Sequence, residues 1–227
     1  ALSSIANEPI ETTCAGRTDS GVHATHQVIH FDTKAERSEH GWLMGTNTKL
    51  PNDIAIHWVK VVNEDFHARF SALYRRYRYV ILNRKARAGL LHKRVTWVQQ
   101  HLDEALMHQA AQALIGEQDF SSFRAAGCQA AHACRNVQAV SVHRQGEFVY
   151  IDVQANAFLY HMVRNIAGSL IKIGTGEQPV TWLNTLLAAK DRRQAAPTAP
   201  ASGLYFVQVA YPESFGLDTT PVIPTFA

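Results

Sequence analysis

Three cysteines in 227 residues, Cys14, Cys128 and Cys134, are too few and too odd in number for a disulfide framework, which a chain of this length does not need. No apolar run approaches the ~18 residues of a membrane-spanning helix, and the opening Ala-Leu-Ser-Ser-Ile-Ala-Asn-Glu has neither the charged nor the apolar region of a signal peptide. These deficits point to a cytoplasmic protein in a reducing compartment. There is no Gly-rich loop followed by Lys-Ser/Thr, which argues against a phosphate-cradle NTPase, and no serine nucleophile elbow. Cys128, His132 and Cys134 lie close together, but their spacing matches no zinc pattern and no fourth ligand is evident, so no metal is expected. Only 18% of residues are charged, while 46% are hydrophobic, enough to bury a core and to exclude a mainly disordered chain.

Acidic residues are also missing locally. From Phe66 to Leu102 there is no Asp or Glu, yet Arg69, Arg75, Arg76, Arg78, Arg84, Lys85, Arg87, Lys93 and Arg94 all fall there. The net charge of +3 therefore hides a strongly basic segment set in an otherwise acidic chain. Such lopsidedness suits a polyanionic partner, the alternative being a solvated basic face. The charge shift also suggests a boundary, giving an N-terminal subdomain over 1–66 and a C-terminal one over 67–227.

Periodicity supplies the elements. Residues 2–6 have helical spacing before a turn at Asn7-Glu8-Pro9. Gln27–Thr33, Ile54–Val62 and Arg75–Asn83 alternate as strands do, the last with Tyr77 and Tyr79 on one face and Arg76 and Arg78 on the other. Asp103–Ile115 reads as an amphipathic helix with Asp103 near its start. Val137–His143 and Phe148–Ala155 read as a hairpin through Gln145-Gly146. Phe158–Ile173 reads as a helix with an apolar stripe through Met162, Ile166, Leu170 and Ile173, and Arg164 lies off it. A short helix over 182–189, an extended Ala/Pro connector over 195–201 and a strand over 204–211 complete the pattern. Strands and helices mix without βαβ alternation, which predicts an α+β fold.

The densest chemical signal is Gly16-Arg17-Thr18-Asp19-Ser20-Gly21-Val22-His23-Ala24, a tight loop presenting a carboxylate. A plain turn, with Asp19 bonding backbone amides, has the same composition. Asp-Ser-Gly also occurs in aspartic proteases, but there an apolar strand precedes it and two carboxylates share a proton. A neighbouring Arg works against such sharing. His23, His26 and His30 read as loop and strand histidines. Arg84, Lys85 and Arg87, just past the third strand, are the favoured contacts to the backbone of a polyanion, because a loop can approach a curved surface.

The Asp19 loop closely resembles the active-site loop of the tRNA pseudouridine synthase A family. The resemblance continues through Phe66-His67-Ala68-Arg69-Phe70-Ser71-Ala72, Arg76-Tyr77-Arg78-Tyr79, Asp119-Phe120-Ser121-Ser122-Phe123-Arg124, Asn156-Ala157-Phe158-Leu159-Tyr160-His161-Met162-Val163-Arg164-Asn165 and Gly203-Leu204-Tyr205-Phe206. Ordered matches along most of the chain make chance agreement remote. Family members carry a strand and a Gly/Trp-containing basic segment ahead of the helix found here at residue 2, so a preceding segment is expected.

The resemblance implies a uridine-to-pseudouridine isomerase acting on the anticodon stem-loop of tRNA, at positions 38 to 40, as a homodimer without a cofactor. It implies two α+β subdomains whose antiparallel sheets join into one continuous sheet, with the cleft between them. By the same resemblance Asp19 is the catalytic aspartate, attacking C6 or C1′ or acting as a base. Arg164 is the arginine that pairs with it, Arg17 contacts RNA and helps hold the base out, Tyr77 packs on the flipped uracil, and Leu204 lines the other side. Tyr79 is expected to be core. A non-catalytic RNA-binding module is the competing expectation; it would need the basic segment and exposed aromatics but not Asp19.

Overall fold

The structure, a computed structural model, describes residues 1–226. In chain order the elements are α1 (Leu2–Ala6), β1 (Thr13–Cys14), β2 (His23–Ala24), β3 (Ile29–His30), α2 (Glu39–Asn47), β4 (Tyr74–Asn83), β5 (Thr96–Val98), α3 (Glu104–Ala111) and β6 (Gly116–Asp119). They continue with β7 (Cys134–Gln145), β8 (Phe148–Ala155), α4 (Met162–Gly174), α5 (Trp182–Ala189) and β9 (Leu204–Ala210). The fold is α+β. No helix among the described residues is long and apolar enough to cross a membrane.

Two compact units divide the chain discontinuously. One comprises Ala1–Arg17, Val28–Ala72 and Tyr211–Thr219; the other comprises Thr18–Gln27, Leu73–Ala210 and Thr220–Ala227. This differs from a single cut at 66/67, because strand pairing assigns Thr18–Gln27 to the second unit: β2 lies parallel to β9, His23 opposite Tyr205.

In the first unit α1 stops at Asn7, whose left-handed φ of 59° closes the helix before Pro9. Ser38 caps α2 by accepting from the Gly41 N–H. Helices α1 and α2 approach closely because Gly45 has no side chain; a Cβ there would lie 3.1 Å from Ile5. Phe66 packs edge-on against Tyr211 and Phe215, and the Tyr211 hydroxyl donates to the Ala68 carbonyl. His30 is structural, accepting from the Ala68 N–H.

Two expected strands differ here. Of Gln27–Thr33 only Ile29–His30 is laddered, against Thr13–Cys14. Ile54–Val62 forms no regular element and has no ladder partner among the described residues; its backbone is instead pinned by the Asn47 side-chain amide, which bonds both polar groups of Ile56. Only Ile56, Val59 and Val62 of the segment are half-buried, every third residue and not every second, and a strand also needs a neighbour.

The second unit is built on a seven-stranded sheet ordered β2-β9-β4-β8-β7-β6, with β5 also paired to β4. Its ladders are antiparallel except β2 with β9 and β4 with β5. In place of the expected single continuous sheet there are two, because among the described residues β1 and β3 pair with each other and with no strand of the larger sheet.

Strand β4 is central and covered on both faces. Tyr79 is fully buried, receives a hydrogen bond from Thr96 and donates to the Pro200 carbonyl. Burial holds its phenol proton on well above the ordinary pKa. On the other face Val80 and Leu82 pack with Phe148, Tyr150 and Val207. There Arg78 grips Asp152 bidentately at 2.9 and 2.7 Å, both side chains buried. Asp103 caps α3 as expected.

Candidate active site

Asp19 is presented by a turn that the sequence dictates. The Val22 N–H bonds the Asp19 carbonyl at 3.0 Å, closing a four-residue turn in which Gly21 has φ 82°. A positive φ at the third position is what a type II turn requires, and glycine adopts it without strain. The chain then runs straight into β2, where the His23 ring stacks on Tyr205 and the Thr25 N–H bonds the Phe206 carbonyl. The turn is thus tied to the edge of the sheet.

Helix α4 meets it. The expected helix over 158–173 begins only at Met162, because His161 takes a left-handed φ of 59° and redirects the chain. Its apolar stripe, Met162, Val163, Ile166, Leu170 and Ile173, is buried, which orients Arg164 off the core. Arg164 Nη1 donates to Asp19 Oδ2 at 2.8 Å, and its Nε donates to the Ala199 carbonyl at 2.8 Å.

The Ala199 carbonyl is available because the Ala/Pro connector lies on α4. Gly168 gives it room, since a Cβ there would sit 2.3 Å from the Pro197 oxygen. Arg192 and Thr198 both bond the Asn165 side-chain oxygen, fastening the connector at a second point.

His161 is the residue that the sequence reading left without a role. Its Nε2 lies 3.1 Å from Asp19 Oδ2, and its ring stacks on Tyr160 at 3.9 Å between centroids. Burial pushes the imidazole pKa down; Asp19 pulls it back up, while Arg164 and Arg192 add to the lowering. His161 stands three residues before Arg164, at the left-handed residue that precedes α4. Among the described residues no second carboxylate is paired with Asp19, unlike the shared-proton arrangement of an aspartic protease.

Tyr77 sits where the β4–β9 register shifts, between Arg76 opposite Gln208 and Tyr77 opposite Phe206. Such irregularities re-aim side chains. Tyr77 stacks on Phe206 at 4.9 Å and meets Phe158 edge-on at 4.9 Å, leaving it 9% exposed. Leu204 is buried two residues before Phe206 and pairs with Tyr79.

Arg17 is exposed, lies in the first unit and holds no hydrogen bond or ion pair among the described residues. Of the basic loop, Arg84 is engaged by Glu147 at 2.9 Å and by the carbonyls of Ala86 and Arg87. Lys85 and Arg87 are exposed.

The mainly antiparallel sheet and the carboxylate placed against a guanidinium and an imidazole define an α+β protein with an acid-centred site. The family model described as tRNA pseudouridine synthase matches residues 1–71 and 110–212, and the chain belongs to that family. Among similar proteins, the tRNA pseudouridine synthase A of Shewanella amazonensis is 61% identical over 226 residues, covering 100% of this chain and 87% of that protein. That of Hydrogenovibrio crunogenus is 61% identical over 217 residues, covering 96% and 83%. That of Vibrio campbellii is 55% identical over 226 residues, covering 100% and 86%.

Proposed function

We propose that this protein is a tRNA pseudouridine synthase that isomerises uridine in the anticodon stem-loop, working as a homodimer in the cytoplasm, with Asp19 as the reacting group. Membership of the family supports the activity. The observation that carries the site is the contact of Arg164 with Asp19, which joins two motifs 145 residues apart at 2.8 Å. The reaction breaks N1–C1′ and forms C5–C1′; C5 loses its proton and N1 gains one, so substrate and product are isomers. An anionic oxygen serves each route, whether it attacks C6, attacks C1′ or removes a proton, and a guanidinium beside it keeps it oriented.

A stacked uridine exposes neither C5 nor C6 to a side chain, so the base must leave the helix. Tyr77, backed by Phe206 and Phe158, supplies a rigid aromatic surface for the extruded base, Leu204 the apolar wall, and Arg17 a contact to the displaced strand. Tyr77→Ala is expected to lose roughly 1–3 kcal/mol of stacking. The loss should fall on the rate far more than on tRNA affinity, because stacking follows extrusion. Equal losses in rate and affinity, measured by steady-state kinetics and filter binding, would point to a general RNA platform instead.

Lys85 and Arg87 extend the basic loop into solvent, and we assign them, rather than the Glu147-bound Arg84, the larger share of phosphate contact. The double variant Lys85→Ala/Arg87→Ala should reduce the log–log salt slope of tRNA binding by about 1.4 to 1.8, at 0.7 to 0.9 per phosphate. An unchanged slope in the folded variant would place the RNA elsewhere.

The activity itself is tested with tRNA tritiated at C5 of uridine: the label should pass to water with no added metal or nucleotide. Binding of tRNA without release would favour a non-catalytic RNA-binding module.

A further inference from the structure

The two oxygens of the Asp19 carboxylate stand in different surroundings. Arg164 Nη1 and His161 Nε2 both reach Oδ2, at 2.8 and 3.1 Å. Among the described residues no hydrogen bond is formed to Oδ1. A carboxylate held by one donor can still turn about its Cβ–Cγ bond. A second side chain packed at 3.1 Å against the same oxygen restricts that turn.

We infer that His161 is a positioning residue for the isomerisation: with Arg164 it ties down Oδ2, and Oδ1 is the oxygen of Asp19 that meets the nucleotide. Oδ2 is taken up by the Arg164 hydrogen bond and crowded by the His161 ring at 3.1 Å, whereas the lone pairs of Oδ1 remain available to the substrate. The imidazole orients the carboxylate without placing a second full positive charge beside it.

His161 is itself held before substrate arrives. Its left-handed backbone opens α4, and its ring lies against Tyr160. The Tyr160 N–H points to Cys128 Sγ at 3.5 Å, and its carbonyl accepts from the Ala125 N–H at 3.1 Å. Little ordering is left to be done when the base enters, which is the condition for a near-attack arrangement.

The inference rests on Asp19 being the reacting group, so the experiment separates the two. Tritium release from C5-labelled tRNA is measured for His161→Asn and His161→Gln beside Asp19→Asn. Asparagine accepts a left-handed backbone but is too short to reach Oδ2; glutamine is long enough to bring an amide N–H to the place of Nε2. His161→Asn should lower kcat about 10- to 100-fold, the scale of a misplaced reacting group, with KM for tRNA within about twofold. His161→Gln should recover to within about fivefold of wild type.

Full kcat in His161→Asn overturns the inference, as does an equal loss in the two variants or a loss expressed mainly in KM. If Asp19→Asn turns over normally, the assignment of Asp19 fails instead. An inactive Asp19→Asn with a fully active His161→Asn rejects the positioning role alone.

Discussion

Asp19→Asn is expected to lower pseudouridine formation by at least about 1,000-fold, the scale of removing a group that acts directly on the reacting atoms, while tRNA binding stays within a few-fold. The asymmetry of the carboxylate explains why so small a change should be so costly. Arg164 donates to Oδ2 and His161 Nε2 lies 3.1 Å from it, so the variant's amide will turn its oxygen toward the guanidinium and leave its NH2 group at the place of Oδ1. The substrate then meets a neutral donor where an anionic acceptor stood. The turn that carries the residue depends on Gly21 and on the Asp19 backbone carbonyl, neither of which the substitution touches, so folding should be preserved. Tritium release and filter binding on the same preparation decide the matter: release near the wild-type rate would remove Asp19 from the chemistry.

The parts of this site that the sequence displays are those whose cause is local. The Asp19 loop needs a glycine two residues on, and Gly21 is there. The apolar stripe of α4 leaves Arg164 outside the core whatever it faces. Asp103 announces the start of α3. Motifs matching a known family then relate Asp19 to Arg164, which composition and period cannot do.

What stayed hidden depends on pairings between distant segments. Arg78 could have been read as a phosphate ligand until the β4–β8 register set it opposite Asp152. Arg84 is engaged by Glu147, 63 residues on, a pairing that no local pattern displays. Ile54–Val62 has the alternation of a strand but no neighbour to ladder with. His161 escaped because the helical period was read through it, whereas its left-handed backbone places it ahead of the helix and turns its ring onto the carboxylate.

Arg164→Ala is expected to lower kcat about 100-fold and to destabilise the protein, because one side chain holds two things. Its Nη1 fixes Asp19, and its Nε ties the connector to α4 through the Ala199 carbonyl. The Arg164 and Asp19 side chains are only 14% and 24% exposed, so the charge-assisted bond is partly shielded from water. Its loss should be worth about 1.5–3 kcal/mol, or roughly 10- to 150-fold in rate when it orients the reacting group. Arg164→Lys should rescue little, since one ammonium on a flexible stem lacks the planar fork that serves an acid and a carbonyl at once. Gly168→Ala separates the two duties. A methyl group 2.3 Å from the Pro197 oxygen must push the connector away from α4, freeing the Ala199 carbonyl while leaving the Arg164 guanidinium in place. That variant should therefore lose thermal stability and part of kcat but retain more activity than Arg164→Ala. Melting temperatures and tritium-release rates for the three variants test the scheme, and an Arg164→Ala protein with the wild-type rate would show that Asp19 does not need its guanidinium.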